Sequence, residues 1–325
     1  MHALLIRIPA LIAIAVVTLA ASPDTRAQTD KPGRIVVGGP PGSSLDLMAR
    51  LFADRMRESA GRQYIVDNRP GASSTIAADA VARGAPDGSV LLISPLGPLI
   101  IEPLFASNIK YDAFRDFTPI SQISTSHVAY TIGQKVPATT LAEYFALARA
   151  DRKQAFYGTA GTNGLPFFFA LLVAQTANVK LTNVPYKSAL DAVNALVSGE
   201  VPAGVLPMQE VIPVQRRGQA RIVATSGARR SALLPEIPTF KELGYQDLEA
   251  ETWFGFFGPA KMPAALADTI SKSVATILKQ PETSRFLSTQ GAEAVGSTPQ
   301  EFAQTMRRDK ERWTAAIKAS GVKLD

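Results

Sequence analysis

The run Ile35-Val36-Val37-Gly38-Gly39-Pro40-Pro41-Gly42-Ser43-Ser44-Leu45-Asp46 leaves the chain few choices. Three β-branched residues stop at glycine and proline, and a helical spacing starts at once with Leu45, Met48, Phe52 and Met56. That is strand, turn, helix. Ser43 is placed to cap the helix, and Asp46 completes a Ser-x-x-Asp box at the positive end of the helix dipole. Such a turn offers free backbone N–H groups and hydroxyls to something negative, so it predicts one wall of a carboxylate site.

The same device recurs along the chain. Gln63 to Asp67 reads as a strand leading through Asn68-Arg69-Pro70-Gly71-Ala72-Ser73-Ser74 into a helix from Thr75 to Arg83, with Ile76, Ala80 and Val81 on one side. Val90 to Ser94 is a third strand, and β-α-β-α-β in so little space predicts a doubly wound, mainly parallel sheet with its ligand loops at the strands' carboxyl ends. Ile120 to Ser124 and Val128 to Ile132 read as strands crossing into a second lobe. There the strand 155–158, the loop Thr159-Ala160-Gly161-Thr162-Asn163-Gly164 and an apolar helix 165–176 repeat the unit. Pro185-Tyr186-Lys187-Ser188 opens another helix with Leu190, Val193 and Val197 on one face, and Ala203 to Leu206 and Ile222 to Thr225 add strands. The chain crosses back from Glu249 through Pro259, and Thr298-Pro299-Gln300-Glu301 opens the last helix.

Composition narrows the function. Ala10 to Ala21 is apolar or small but too short to span a bilayer, and Thr25-Arg26-Ala27 offers a small-x-small cleavage site, so residues 1–27 read as a cleaved secretory signal. No other stretch approaches transmembrane length. With no cysteine, disulfides and thiolate metal ligands are excluded, and an exported chain of this size without them fits a periplasm. The formal charge of +6 is spread along the chain without interleaved aromatics, which points away from nucleic acid. After the leader His127 is the sole histidine, and neither Gly-x-Ser-x-Gly nor Gly-x-x-x-x-Gly-Lys occurs, so nothing predicts an enzyme, a cofactor or a metal centre.

Pro-Pro-Gly-x-x-x-Asp at 40–46, Asn68-Arg69-Pro70-Gly71-Ala72, Ala85-Pro86-Asp87-Gly88, Val184-Pro185-Tyr186-Lys187 and Leu234-Pro235-Glu236-Ile237-Pro238-Thr239 together resemble the tripartite tricarboxylate transporter substrate-binding family, the Bug proteins. The resemblance implies a type II periplasmic binding protein, a two-lobed α/β flytrap. Lobe 1 is then 28–126 plus 249–325, and lobe 2 is 127–248. It also implies a small organic carboxylate held by loops of both lobes. The partner is either membrane permease subunits, which take up the solute, or a membrane sensor, which reads the liganded form without transport.

The predicted ligand-binding residues are Gly39, Pro40, Ser43 and Ser44 of the first turn, Ala72, Ser73 and Ser74 of the second, and Thr159, Gly161, Thr162, Asn163, Phe167, Lys187, Ser188 and Leu206 of lobe 2. Asp46 is expected to brace its turn, since a carboxylate repels an anionic ligand, and Arg69 to brace its loop by bonding carbonyls. Several positions depart from the family's usual pattern. Gly38-Gly39 replaces Pro-Phe, which is expected to remove bulk at the pocket mouth. Phe167 and Leu171 stand where relatives carry His and Glu, and Leu206-Pro207 where they carry Asp-Asn. The anion-holding half is kept and the other half is apolar, which predicts a carboxylate with an apolar or aromatic end.

Overall fold

A computed structural model of the chain describes residues 31–71, 74–104, 106, 108–161 and 164–320. The expected leader, 1–27, lies outside the described residues, as do Ala72, Ser73, Thr162 and Asn163 of the predicted site. Among the described residues no helix is long and apolar enough to cross a membrane.

The first unit is β1 (Gly33–Val37), α1 (Ser44–Ala60), β2 (Tyr64–Asn68), α2 (Thr75–Ala82) and β3 (Val90–Pro95). Strand β1 lies between β2 and β3, parallel to both. It is buried at Ile35, Val36 and Val37, as a strand covered on both faces must be. Helix α1 turns Leu45, Met48, Phe52 and Met56 inward, with Phe52 meeting Phe256 edge to face at 5.1 Å.

The crossing is one strand rather than two. β4 runs unbroken over Phe117–Gly133, and the Thr125-Ser126-His127 stretch that interrupts its apolar pattern stays extended because it pairs with β9 (Glu251–Pro259). Beyond it come α3 (Leu141–Ala150), β5 (Phe156–Ala160), α4 (Leu165–Thr176), β6 (Thr182–Tyr186), α5 (Ala189–Ser198), β7 (Ala203–Pro207), α6 (Met208–Arg216) and β8 (Ala220–Thr225). After β9 the chain adds α7 (Ala264–Leu278), α8 (Pro281–Thr289), the short β10 (Glu293–Ala294) and α9 (Pro299–Ser320).

The strand order is β2-β1-β3-β9-β4-β7-β5-β6, with β10 and β8 also paired to β4. From Phe117 to His127, β4 pairs antiparallel with β9. From Val128 onward it pairs with β7, and from Ala129 also with β8. Ser226 sits fully buried at this switch. Its amide donates to the Val128 carbonyl at 3.0 Å and its hydroxyl oxygen accepts from the Val128 amide at 2.8 Å. Its carbonyl takes the Ala250 amide at 2.8 Å, so one small residue clips together both crossing segments.

One apolar cluster runs under both halves of the sheet, joining Val36, Leu92, Trp253, Phe257 and Phe302 to Tyr130, Tyr144, Phe168, Phe169 and Phe240. Helix α9 closes it, Phe302 lying edge to face on Trp253 at 5.1 Å. That approach requires Gly255, where a Cβ would stand 2.1 Å from the Phe302 ring.

Candidate functional site

The strand directions create a facing pair of loop sets. Strand β3 is antiparallel to β9, which is antiparallel to β4, so β1, β2 and β3 run with β4. Strand β7 is antiparallel to β4, and β5 and β6 are parallel to β7. The last residue of β3, Pro95, pairs with Phe254, which pairs with Ser124, while the last residue of β7, Pro207, pairs with Val128. Four residues of β4 separate the two sets of carboxyl ends, about 13 Å at the rise of a strand. Into that gap point the starts of α1 and α2 from one side and of α4, α5 and α6 from the other. Each helix brings first-turn amides without intrahelical acceptors and the positive end of its dipole.

The α1 turn is braced from within. Ser43 caps the helix, its Oγ accepting from the Asp46 amide at 3.3 Å. Asp46 is buried and reaches one residue further back than a capping box does, accepting from the Gly42 amide at 2.9 Å, from Asn68 Nδ2 at 2.9 Å and from Arg50 Nε at 2.9 Å. The Arg50 bond holds its carboxyl below the usual carboxylate range against the cost of burial. Asp46 is thus a strut, spent on its own turn.

Asn68 is the link that sequence reasoning passes over. Its amide also donates to the Gly39 carbonyl at 2.9 Å, tying the end of β2 to the α1 turn. Arg69 turns instead to Asp67, whose Oδ2 accepts from Nε at 3.1 Å and Nη2 at 3.0 Å, so it braces through a carboxylate rather than backbone carbonyls. Gly38 and Gly39 do not widen a pocket mouth, because both are buried where the turns pack together. A Cβ on Gly38 would lie 2.1 Å from Ser74 Cβ, and one on Gly39 2.4 Å from Ser43 Oγ. Ser74 itself is held at φ 72°, in the left-handed region, and makes no side-chain cap. Pro40 is exposed, and the Ser44 hydroxyl is already spent, donating to Gln290 Oε1 at 2.6 Å.

Across the gap, Thr159 is fully buried, its Oγ1 2.7 Å from the Gly161 carbonyl oxygen and 2.8 Å from Asn183 Oδ1. Gly161, at φ 75°, donates its amide to the Tyr186 carbonyl and so joins the ends of β5 and β6. Of the phenylalanine triplet, Phe168 and Phe169 are buried, and half-buried Phe167 meets Phe168 at 5.3 Å. Ser188 caps α5, accepting from the Asp191 amide at 3.1 Å, and Lys187 beside it is exposed. The Leu206 side chain turns away, fully buried with Ala129, Val193 and Ile212, because alternation along β7 points it to the α5 and α6 face. Leu190 and Ile76, expected on buried faces, are 62% and 49% exposed. Both are second residues of their helices, in the first turn.

Two other bridges join distant segments at the gap. The Ser126 hydroxyl lies 2.8 Å from the Gly291 carbonyl oxygen and 3.1 Å from Gln209 Oε1, so the turn after α8 meets the start of α6. Residues 48–322 match the tripartite tricarboxylate transporter family receptor. The chain belongs to that family. Its relatives include a UPF0065 protein of Bordetella bronchiseptica, 32% identical over 95% of this chain and 92% of that one. BugT of Bordetella pertussis is 27% identical over 98% of both. Among solved structures, R. palustris Rpa4515 with adipate aligns at TM-score 0.77 and 28% identity over 89% of this chain and 97% of that one. MatC of Rhodopseudomonas palustris with bound malate aligns at 0.72 and 25% over 88% and 98%. The receptor is accordingly a periplasmic solute-binding protein with the two-lobed α/β fold of its neighbours, and those neighbours are binding proteins rather than enzymes.

Proposed function

We propose that this receptor captures a small carboxylate with an apolar or aromatic remainder in the gap between the two loop sets and delivers it to a membrane transporter. The lobes that close on it are 28–126 plus 249–325 and 127–248, exported by the leader 1–27. The observation that carries the reading is the convergence of helix starts from opposite directions within four residues of β4. Amides and dipole ends hold an anion without a buried cation, and the arginines near the first lobe's turns, Arg50 in α1 and Arg69 after β2, are occupied by Asp46 and Asp67. Phe167 in the first turn of α4 offers the ligand an apolar wall. Adipate, the ligand of a relative's structure, is itself a carboxylate on a hydrocarbon chain.

A thermal-shift series of aliphatic, aromatic and hydroxylated carboxylates tests the reading. A true ligand at 100 times its dissociation constant adds about 2.7 kcal/mol to the folded state. Folded protein that no carboxylate stabilises overturns it.

A further inference from the structure

The segment 290–293, between α8 and β10, touches both sides of the gap. It is rooted on the α1 side, where Leu287 and Ala292 are buried in one cluster with Met48 and Phe52 of α1 and Ile270 of α7. At that end Gln290 Oε1 accepts from the Ser44 hydroxyl in the first turn of α1 at 2.6 Å. From there the segment reaches across. Gly291 is buried against the first turn of α6, so closely that a Cβ on it would stand 2.5 Å from Cα and Cβ of Gln209 and 2.9 Å from its nitrogen. Its φ of 65° is one that glycine takes without strain. The Ser126 hydroxyl of β4 lies between the two, 2.8 Å from the Gly291 carbonyl oxygen and 3.1 Å from Gln209 Oε1. Two residues on, Glu293 Oε1 accepts from the Ser231 hydroxyl at 2.8 Å and the Ala232 amide at 3.0 Å, in the segment that follows β8.

These contacts join two cores that are separate on their face of the sheet. Met208, next to Gln209, and Leu234, two residues past Ala232, belong to a cluster with Val193, Ile212 and Ile222. Among the described residues it shares none with the α1 cluster. Ile35 and Leu206 of these two clusters alternate with Val36 and Val205 of the cluster that runs under both halves, so both lie on the opposite face from it. The link across is polar, a few bonds and one backbone fit. Bonds of this kind exchange with water at little net cost, so they bias the gap towards one width without welding it.

We propose that residues 290–293 form a strap that sets the width of the gap, with Gln290, Gly291 and Glu293 as positioning residues for solute capture. The inference rests on the reading that the solute sits between the two loop sets. The strap holds the starts of α1 and α6 at one separation, and a solute that needs that separation binds in proportion to the share of molecules that keep it. Gln290 and Glu293 act through their bonds. Gly291 acts through its missing side chain, which lets the start of α6 come up against the strap.

The chain has no cysteine, so spin labels on Glu58→Cys in α1 and Asn194→Cys in α5, both exposed positions, report the gap by double electron–electron resonance on solute-free protein. Expected for the labelled parent is one main distance with a minor longer one. Gln290→Ala raises the ratio of longer to shorter about threefold, and Gln290→Ala combined with Glu293→Ala raises it at least about tenfold. Gly291→Ala, whose Cβ pushes Gln209 away, raises it too. Glu293→Gln keeps an acceptor for Ser231 and Ala232 and leaves the ratio within about twofold of the parent. In calorimetry with 3-phenylpropionate the double variant loses affinity by the factor by which its shorter-distance share falls. A ratio in the double variant within twofold of the parent, a Glu293→Gln shift as large as that of Glu293→Ala, or an affinity loss without a change in distance overturns the proposal. If the double variant does not fold, Gln290→Ala, which removes one exposed bond, decides it, and an unchanged ratio there is equally contrary. A parent that does not bind 3-phenylpropionate counts against that solute alone, and the distances in solute-free protein still decide on the strap.

Discussion

The packing between the first two turns is tight enough to be measured as a coupling. In Gly38→Ala the new Cβ falls 2.1 Å from Ser74 Cβ, 2.3 Å from its Oγ and 2.6 Å from its Cα. The backbone at Gly38 tolerates alanine, since it is not among the positive-φ glycines, so the cost is steric. Overpacking of this kind costs about 1–3 kcal/mol. In Ser74→Gly two of the three clashing atoms disappear, and a residue at φ 72° becomes one that adopts that angle freely, a gain of up to about 1 kcal/mol. The two substitutions together are therefore less harmful than their sum by about 1 kcal/mol or more, and the clash that remains against the backbone of residue 74 keeps the rescue incomplete. Urea unfolding of the four proteins at pH 7 measures the cycle. Effects that add to within about 0.5 kcal/mol refute the packing of these turns described above.

Ser226→Ala keeps the two backbone bonds of the clip at the pairing switch but leaves the buried Val128 amide without its acceptor, costing about 1–3 kcal/mol in the same assay. Asn68→Ala releases both Gly39 and Asp46, costs about 2 kcal/mol, and weakens carboxylate binding in calorimetry because the α1 turn is no longer held. Asp46 ionises more readily folded than unfolded, so its stabilisation is present above the unfolded value and is lost as pH falls through the lower native one; in Asp46→Asn the urea midpoint changes less between pH 5 and pH 3. Asp309 has the opposite sign. Its contribution is full below the unfolded pKa and is lost as pH rises through about 6, so the unfolding free energy of Asp309→Asn gains on the parent between pH 4 and pH 7 by about 2–3 kcal/mol.

Much of this fold is legible in the sequence because the repeating unit is local. A β-branched run, a glycine-proline stop and helical spacing mark β1 and α1 within twenty residues, and the same signs mark α2, α4 and α5. Expectations fail where the deciding partner is remote. β4 looks like two strands because Thr125, Ser126 and His127 break its apolar pattern, and the strand that pairs with all three and holds them extended, β9, lies more than a hundred residues on. Gly38 and Gly39 read as an emptied pocket mouth until Ser74 and Ser43 are placed against them. Leu206 reads as a pocket residue because its likeness to relatives fixes its place in the chain but not its side of β7. Asn68 is visible inside its motif, yet its two acceptors lie in the preceding turn and no spacing rule points to them. Leu190 and Ile76 follow the helical period and are exposed all the same, since periodicity does not say how far along a helix its packing partners reach.

The central claim, an anion held by helix starts beside an apolar wall, meets its most direct test in isothermal calorimetry with 3-phenylpropionate and citrate. The account predicts saturable one-site binding of 3-phenylpropionate, tighter than that of citrate. Tight binding of citrate with none of aromatic or branched monocarboxylates would contradict it.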